Sequence, residues 1–202
     1  MNRELVKKLR NNPTARTARE VIVNLGRVRE NPYSIINTLM SEFEMRDVFD
    51  VGANIGQFGI DLRRKGYRGT INSFEPVKSI YDQLCKNVTR FQPWSAWNLA
   101  FGEIESSRTI NVSGNNGLST SFLSMRKLHL ENFPESSYVR TEIVQISTVD
   151  IQIAKLKIDP RKLLLKLDVQ GFESAVIRGA SEFFQVIPFC FLLFNWISCT
   201  II

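Results

Sequence analysis

The stretch that decides the fold is "VFDVGANIGQFG", residues 48–59, in which an apolar run leads directly into three glycines. The apolar run predicts a short buried strand, and "IGQFGIDLRRKG" predicts a helix that ends at Gly66. Gly52 and Gly56 lack the side chains that would keep a ligand away from the backbone, and Gly59 lets the helix pack close to the sheet. The glycines alone favour a ligand-binding turn and an ordinary tight turn equally.

The alternation of strand and helix continues beyond this stretch. Strands are predicted in "GTINSFE", "WSAWNLAFG", "TEIVQIS" and "PRKLLLKLDV", and helices in "PVKSIYDQLCKNV", "TVDIQIAKLKI" and "FESAVIRGASEFFQ". Because apolar strands alternate with helices, we expect an α/β fold whose mainly parallel sheet has helices on both faces. The polar stretch "ESSRTINVSGNNGLSTSFLSM" is too long for an ordinary connection and predicts a hairpin with a functional loop.

Residues 1–45 predict an N-terminal helical extension, because apolar residues such as Val21, Ile22 and Val28 recur at helical spacing. Most of the net charge of +6 lies in residues 1–30, where basic residues are mixed with glutamate and apolar residues. This mixture favours a solvated helix face over a nucleic-acid-binding arm. The start of the chain has no apolar run typical of a signal peptide. Its three separated cysteines fit a reducing compartment, so a cytoplasmic protein is expected.

The chain contains three cysteines without a CxxC pair and a single histidine, His129. This composition argues against a disulfide framework and a multi-histidine metal centre, so we expect no metal. His129 has an ordinary pKa suited to proton transfer, but a lone histidine in a polar stretch is more often a surface residue.

The C-terminal residues 183–202 contain no charged side chain. Their length fits a membrane span, but Pro188, Asn195 and the missing basic flank favour a buried strand in "IPFCFLLFN" with an apolar tail. A membrane anchor is therefore not expected. The main domain is predicted to cover residues 46–185, followed by this apolar segment from residue 186.

Glu75 ends the second predicted strand of the main domain. A carboxylate there can accept hydrogen bonds from both hydroxyls of a ribose, so Glu75 and the glycine-rich turn together indicate an adenosine-containing cofactor. A helix-capping carboxylate before Pro76 is the alternative role. The turn lacks the G-x-G-x-x-G spacing that binds a pyrophosphate, which favours S-adenosylmethionine over a nicotinamide dinucleotide. Asp50 is then placed to contact the cofactor's ammonium group, directly or through water. A nicotinamide-dependent oxidoreductase is the alternative function.

The segments "FDVGANIGQFG", "SFEP", "NLAFGE" and "LLLKLDVQGFESAVIRGA" occur in this order between residues 48 and 180. In combination they resemble the FkbM family of S-adenosylmethionine-dependent methyltransferases. The resemblance implies a Rossmann-like class I methyltransferase fold and O-methylation of a hydroxyl on a sugar, polyketide or related metabolite. It also implies the cofactor-binding residues, which are Asp50, Gly52, Ala53, Asn54 and Gly56 for the methionine part, Glu75 for the ribose, and Asn98, Leu99 and Ala100 near the adenine.

The segment "KLDVQGFE" supplies the candidate catalytic residues. We expect Asp168 to accept or orient the proton of the acceptor hydroxyl, with Lys166 and Glu173 adjusting it through their charge. The equally weighted alternative is a structural ion pair between Asp168 and Lys166, with Glu173 capping the next helix. Residues 113–124 are candidates to line the acceptor pocket, or else form a solvent-exposed hairpin.

After Ala180 the sequence departs from the family pattern and ends in "CFLLFNWISCTII". This departure predicts a truncated or altered C-terminus that leaves the fourth or fifth strand as an uncovered edge. Such an edge pairs readily with another chain, so a homo-oligomer is one expectation. A non-catalytic remnant that keeps the cofactor site is accordingly another alternative function.

Overall fold

Strand β2, residues Asp47–Val51, lies inside the larger sheet and carries the apolar run described above. The computed structural model describes residues 21–24, 36, 40–114, 122, 137–186 and 191–194. Because alternate residues of a strand point to opposite faces, Val48 is buried in one hydrophobic core and Phe49 in another. Both faces of β2 are therefore covered, as expected for a parallel sheet.

Strands and helices alternate along most of the described chain. The strands are β1 Val21–Asn24, β2 Asp47–Val51, β3 Thr70–Phe74, β4 Trp94–Trp97, β5 Ala100–Phe101, β6 Ser106–Ser113, β7 Tyr138–Ser147, β8 Leu163–Leu167 and β9 Phe191–Phe194. The helices are α1 Gln57–Arg64, α2 Lys78–Val88, α3 Val149–Leu156, α4 Glu173–Arg178 and α5 Ser181–Val186, with a 3₁₀ turn at Pro160–Lys162.

The larger sheet is parallel and has the strand order β1-β9-β8-β2-β3-β4. From β2 the chain moves outward to β3 and β4, and it later returns to β8 on the other side of β2. The strand order thus reverses beside β2, which is where open α/β sheets bind ligands. This topology confirms the predicted Rossmann-like α/β fold.

Helices cover both faces of this sheet, as predicted. On one face, Leu62 of α1 and Leu84 of α2 pack in the same core as Trp94 of β4. On the other face, Val176 of α4 and Phe183 of α5 pack against the buried strands together with α3. Strands β2, β3 and β8 therefore pack in a separate hydrophobic core on each face of the sheet.

A second sheet has the strand order β5-β7-β6, with β7 parallel to β5 and antiparallel to β6. Strand β6 opens the polar stretch in which a hairpin was predicted, but its antiparallel partner is β7, the separately predicted strand "TEIVQIS". Most of the rest of that stretch lies outside the described residues. The segment "WSAWNLAFG" does not form the single strand expected from its apolar pattern. It is divided between β4 in the first sheet and β5 in the second, with Asn98 and Leu99 between them.

The helical prediction for the N-terminal extension is wrong at Val21–Asn24, which forms strand β1 beside β9. Its β-branched valine and isoleucine side chains suit a strand, and the pairing partner lies far away in sequence. Nearer the domain, residues 40–42 are helical, and Ile36 and Met40 are buried in the core.

The strand predicted in the apolar C-terminal segment is confirmed at Phe191–Phe194. Because this strand, β9, lies between β8 and β1, neither β8 nor β9 is the uncovered edge that the sequence led us to expect. Among the described strands, β1 and β4 form the edges of the larger sheet. No helix in the described ranges is both long and apolar enough to cross a membrane.

Candidate functional site

A cleft opens at the carboxyl ends of β2, β3 and β8, beside the point where the strand order reverses. It contains about 630 Å³ of empty space when its open mouth is included. It is lined by Val51, Gly52, Asn54, Glu75, Pro76, Leu99, Ala100, Phe101, Ile110, Phe122, Asp168, Val169 and Gln170. Several predicted site residues therefore share this surface, namely Gly52, Asn54, Glu75, Leu99, Ala100 and Asp168.

The turn 52–56, between β2 and α1, uses its backbone N–H groups inside the protein. Those of its first two residues donate to the carbonyl oxygen of Phe74, both at 3.0 Å. The next three donate to Oε2 of Glu75, to Oδ1 of Asn54 and to the carbonyl oxygen of Ala53. A turn binds phosphate through free N–H groups. These five donors are already engaged, so they do not form a phosphate cradle.

The glycines of this turn permit close packing of the protein against itself. Gly52 has a φ of 71°, and a Cβ atom there would lie 2.0 Å from the carbonyl oxygen of Asp168. A Cβ atom on Gly56 or Gly59 would fall 3.1 Å or 2.3 Å from the indole of Trp94. Gly59 thus has the packing role predicted for it, and Gly56 shares that role. Gly52 brings the turn against the chain that follows β8.

Glu75 is a buried carboxylate at the cleft, with only 6% of its surface exposed. Its Oε1 accepts the N–H of Val77 and its Oε2 accepts the N–H of Asn54, both at 3.0 Å. Burial raises the pKa of Glu75 to about 7, against the lowering effect of these hydrogen bonds and of the Lys166 charge. Since each carboxylate oxygen can accept two hydrogen bonds, Glu75 retains acceptor capacity for a ligand.

Asp50 lies behind the cleft wall and is fully buried. Its Oδ1 is 2.8 Å from Nζ of Lys166, and its Oδ2 accepts a hydrogen bond from the Ser73 hydroxyl at 3.1 Å. The same hydroxyl accepts the indole N–H of Trp94 at 3.0 Å. The carboxylate of Asp50 is therefore balanced by a cation of the protein itself.

Lys166 connects Asp50 to the glycine-rich turn. Its Nζ donates to the carbonyl oxygen of Gly52 at 2.9 Å and lies 3.4 Å from that of Val51. Burial acts to lower the pKa of Lys166, but the charges of Asp50 and Asp168 outweigh it and raise the pKa above its ordinary value. A lysine that stays charged is suited to holding the turn in place.

Asp168 follows β8, is partly exposed and lines the cleft. Its Oδ1 accepts a hydrogen bond from Nε2 of Gln170 at 2.8 Å. Oε1 of Glu173 accepts the N–H groups of Val169 and Gly171 at 3.2 Å and 3.3 Å. Glu173 thus organises the turn that carries Asp168. Its partners precede helix α4, so these hydrogen bonds are not the helix cap that the alternative predicts.

The Asn98 side chain holds the backbone of the segment that follows β3. Its Nδ2 donates to the carbonyl oxygens of Glu75 and Pro76 at 2.9 Å and 2.8 Å. The following residues, Leu99 and Ala100, face the cleft directly. Asn98 therefore fixes the backbone that presents the Glu75 carboxylate.

Sequence reasoning missed several lining residues, which are Val51, Pro76, Phe101, Ile110, Val169 and Gln170. Pro76 and Gln170 lie inside the quoted motifs, so their neighbours could have identified them. Ile110 comes from the second sheet, and no local signal places it at the cleft. Phe122 lies within the range 113–124 that was expected to line the acceptor pocket.

Other predicted positions lie outside the described residues, among them His129 and most of the range 115–124. Within the part of the chain that is described, no group of His, Cys, Asp and Glu side chains is placed to hold a metal ion.

Comparisons with known proteins agree with the motifs. Hexuronic acid methyltransferase AglP from Haloferax volcanii is 26% identical to this chain over 182 residues, which cover 87% of this chain and 68% of that protein. Methyltransferase 1 from Beauveria bassiana is 26% identical over 148 residues, or 67% of this chain. This match spans 58% of the length of the Beauveria bassiana protein.

A crystal structure of methyltransferase FkbM from Methylobacillus flagellatus superimposes with a TM-score of 0.45 and 16% identity, over 69% of this chain and 30% of that one. The family model of the methyltransferase FkbM domain matches residues 50–195, from the glycine-rich turn to the end of β9. This match covers most of the chain, and the chain therefore belongs to the FkbM methyltransferase family.

Proposed function

We propose that this chain binds S-adenosylmethionine and supports transfer of its methyl group to a hydroxyl oxygen of a sugar or related metabolite. The observation that carries the proposal is the combination of Glu75 with the turn 52–56. A buried carboxylate keeps acceptor capacity at the cleft, while the backbone donors of the turn are engaged inside the protein. This surface suits a nucleoside without phosphate groups. A pyrophosphate-containing nicotinamide cofactor would need those donors.

The cleft residues fit the parts of such a cofactor. Glu75 would accept hydrogen bonds from the ribose hydroxyls, and the apolar side chains of Leu99 and Phe101 would pack beside the adenine. The turn around Gly52 would hold the amino acid end. When bound, S-adenosylmethionine supplies a methyl group on a positively charged sulfur.

The residues after β8 would act on the acceptor. Asp168 would accept the proton of the hydroxyl group as the oxygen becomes nucleophilic. Gln170 restricts the orientation of the Asp168 carboxylate, and Glu173 holds the backbone of the same turn. Much of the rate would come from positioning, since two reactants held together react far faster than free ones.

A sugar-type acceptor is supported by similarity to a protein named as a hexuronic acid methyltransferase. That similarity extends over 87% of the present chain and includes the segments that form the cleft. We therefore propose hydroxylated sugars and sugar acids as the first acceptors to test.

Isothermal titration calorimetry tests the cofactor part of the proposal. We expect S-adenosylhomocysteine to bind the wild-type chain and reduced nicotinamide dinucleotide not to bind. Glu75→Gln should weaken S-adenosylhomocysteine binding about tenfold or more, because an amide NH2 replaces one of the carboxylate oxygens that would accept from the ribose hydroxyls. The matched control is Glu103→Gln, which removes an exposed carboxylate paired with Arg178. Binding of the nicotinamide nucleotide alone would overturn the proposal.

Transfer of a radiolabelled methyl group to sugar acceptors tests the chemical part. Asp168→Asn keeps an oxygen that can accept from Gln170 but removes the proton acceptor, so kcat should fall about a hundredfold. Binding of S-adenosylhomocysteine should change little. Cofactor binding without transfer to any hydroxylated sugar would instead support a non-catalytic protein that retains the site.

A further inference from the structure

We propose that Arg108 forms an anion-binding subsite at the cleft, which selects acceptors that carry a carboxylate or phosphate group beside the hydroxyl to be methylated. This inference rests on the proposed function and deepens it by naming the acceptor class. The subsite consists of the Arg108 guanidinium and the aromatic rings of Phe122 and Phe172.

The position of Arg108 on β6 directs its side chain to the cleft side of the second sheet. Residues two apart on a strand share a face, and Ile110, two residues further along β6, is buried and lines the cleft. Arg108 also pairs across the sheet with Val144, which is buried in the same core as Ile110. Arg108 is therefore on the inner face, at a point where that face reaches solvent.

Two aromatic rings hold the guanidinium. Its central carbon lies 5.8 Å from the ring centre of Phe122 and 5.6 Å from that of Phe172. The two ring centres lie 4.7 Å apart with the rings tilted by 47°, so the guanidinium contacts two neighbouring aromatic side chains. Phe122 itself lines the cleft. Contact with ring faces orients an arginine without using its N–H donors.

Among the described residues, Arg108 forms no salt bridge with a carboxylate and donates no side-chain hydrogen bond. By contrast, Arg178 pairs with Glu103 and Arg140 pairs with Glu142. A guanidinium that is positioned but not neutralised can bind a carboxylate or phosphate through two parallel hydrogen bonds. Within the described ranges, therefore, no carboxylate neutralises the Arg108 guanidinium beside the cleft, which suits it to bind an external anion.

The surroundings of Arg108 assign this anion to the acceptor. Phe172 follows β8 in the same turn as Asp168, the proposed proton acceptor. Glu75 and the turn 52–56, which we assign to the cofactor, follow β3 and β2 respectively. The guanidinium therefore lies with the elements that would bind the acceptor.

Three probes test the subsite in the presence of saturating S-adenosylhomocysteine. They are methyl glucoside, methyl glucuronoside and glucose 6-phosphate, and their binding is measured by ligand-observed NMR titration. We expect one or both anionic probes to bind about tenfold or more tightly than the neutral one, and the comparison between them distinguishes a carboxylate from a phosphate.

Arg108→Gln should remove this preference, and Arg108→Lys should retain part of it, because lysine keeps the charge but not the planar fork. Arg90→Gln, which removes an exposed arginine after α2, should leave the preference unchanged. The affinity for S-adenosylhomocysteine should be the same in all four proteins.

Each result decides between the proposals. If wild type binds S-adenosylhomocysteine but does not prefer either anionic probe, the subsite is overturned and the proposed function stands. If Arg108→Gln weakens S-adenosylhomocysteine itself tenfold, the guanidinium binds the carboxylate of the cofactor, and the acceptor assignment is wrong. If wild type fails to bind S-adenosylhomocysteine, the proposed function is overturned.

Discussion

Lys166 and Asp50 form a buried ion pair on adjacent parallel strands, with Nζ of Lys166 2.8 Å from Oδ1 of Asp50. The same ammonium group donates to the carbonyl oxygen of Gly52, the first residue of the turn at the cleft. The pair therefore joins the interior of the sheet to the proposed cofactor site.

Removing one member of this pair should destabilise the fold. Lys166→Met leaves a buried carboxylate without its cation, and we expect a loss of about 3–5 kcal/mol in the free energy of unfolding. The double variant Asp50→Asn with Lys166→Met removes both charges and should be more stable than either single variant. Urea denaturation measures all of these.

The exposed pair of Lys78 and Asp82 provides the control, since water already screens it. Lys78→Met should cost less than about 1 kcal/mol. Strictly additive losses in the double variant of Asp50 and Lys166 would show that the pair is not energetically coupled.

Replacing Gly52 and Gly66 by alanine compares the loss of stability caused by a steric clash with the loss caused by backbone strain alone. Both have positive φ, 71° and 98°, but a Cβ atom on Gly52 would meet the carbonyl of Asp168 while one on Gly66 would meet nothing within 4 Å. Gly66→Ala should therefore cost only the backbone strain, about 1–2 kcal/mol. Gly52→Ala should cost about 3 kcal/mol or more and abolish cofactor binding. Equal melting temperatures for the two variants would contradict this assignment.

The buried carboxyl of Glu75 should make stability depend on pH. Its pKa in the folded protein is raised from an ordinary 4.5 to about 7, so the folded state holds a proton that the unfolded chain releases. The resulting stabilisation is fully present below pH 4.5 and is lost as the pH rises through 7. Relative to Glu75→Gln, which does not titrate, wild type should lose about 3 kcal/mol between pH 4.5 and pH 8.

Denaturation curves of both proteins across this pH range measure the difference. Parallel stability profiles for wild type and Glu75→Gln would rule out a raised pKa at this position. If the Glu75→Gln substitution unfolds the protein at every pH, an NMR titration of the Glu75 carboxyl in wild type measures the same pKa directly.

Glu173 should act through the backbone rather than through its charge. Glu173→Gln keeps the oxygen that accepts from Val169 and Gly171, whereas Glu173→Ala removes it. We expect the glutamine variant to retain methyl transfer within about threefold. The alanine variant should lose about tenfold or more, because the turn loses both hydrogen bonds to Glu173. Equal losses in both variants would restore a role for the negative charge.

Much of this fold could be predicted from local sequence. The glycine-rich turn, the apolar strand of "LLLKL" and the position of Glu75 at a strand end are set by residue spacing, and spacing is local. The C-terminal strand was also correctly predicted. Strand β1 was not, because Val21–Asn24 fits either a helix or a strand, and its pairing with β9 decided between them.

The sequence by itself determined which strand-end residues gather at the switch point of the larger sheet, because parallel strands bring their carboxyl ends to one edge. Only the tertiary structure decided which hydrogen-bond, ion-pair and ring partners those residues have. In the folded protein, Lys166 forms an ion pair with Asp50, and the backbone donors of the turn 52–56 bond to other protein groups. The guanidinium of Arg108 lies over the rings of Phe122 and Phe172. These choices depend on burial and on partners distant in the chain, and the order of residues along a single segment does not encode them.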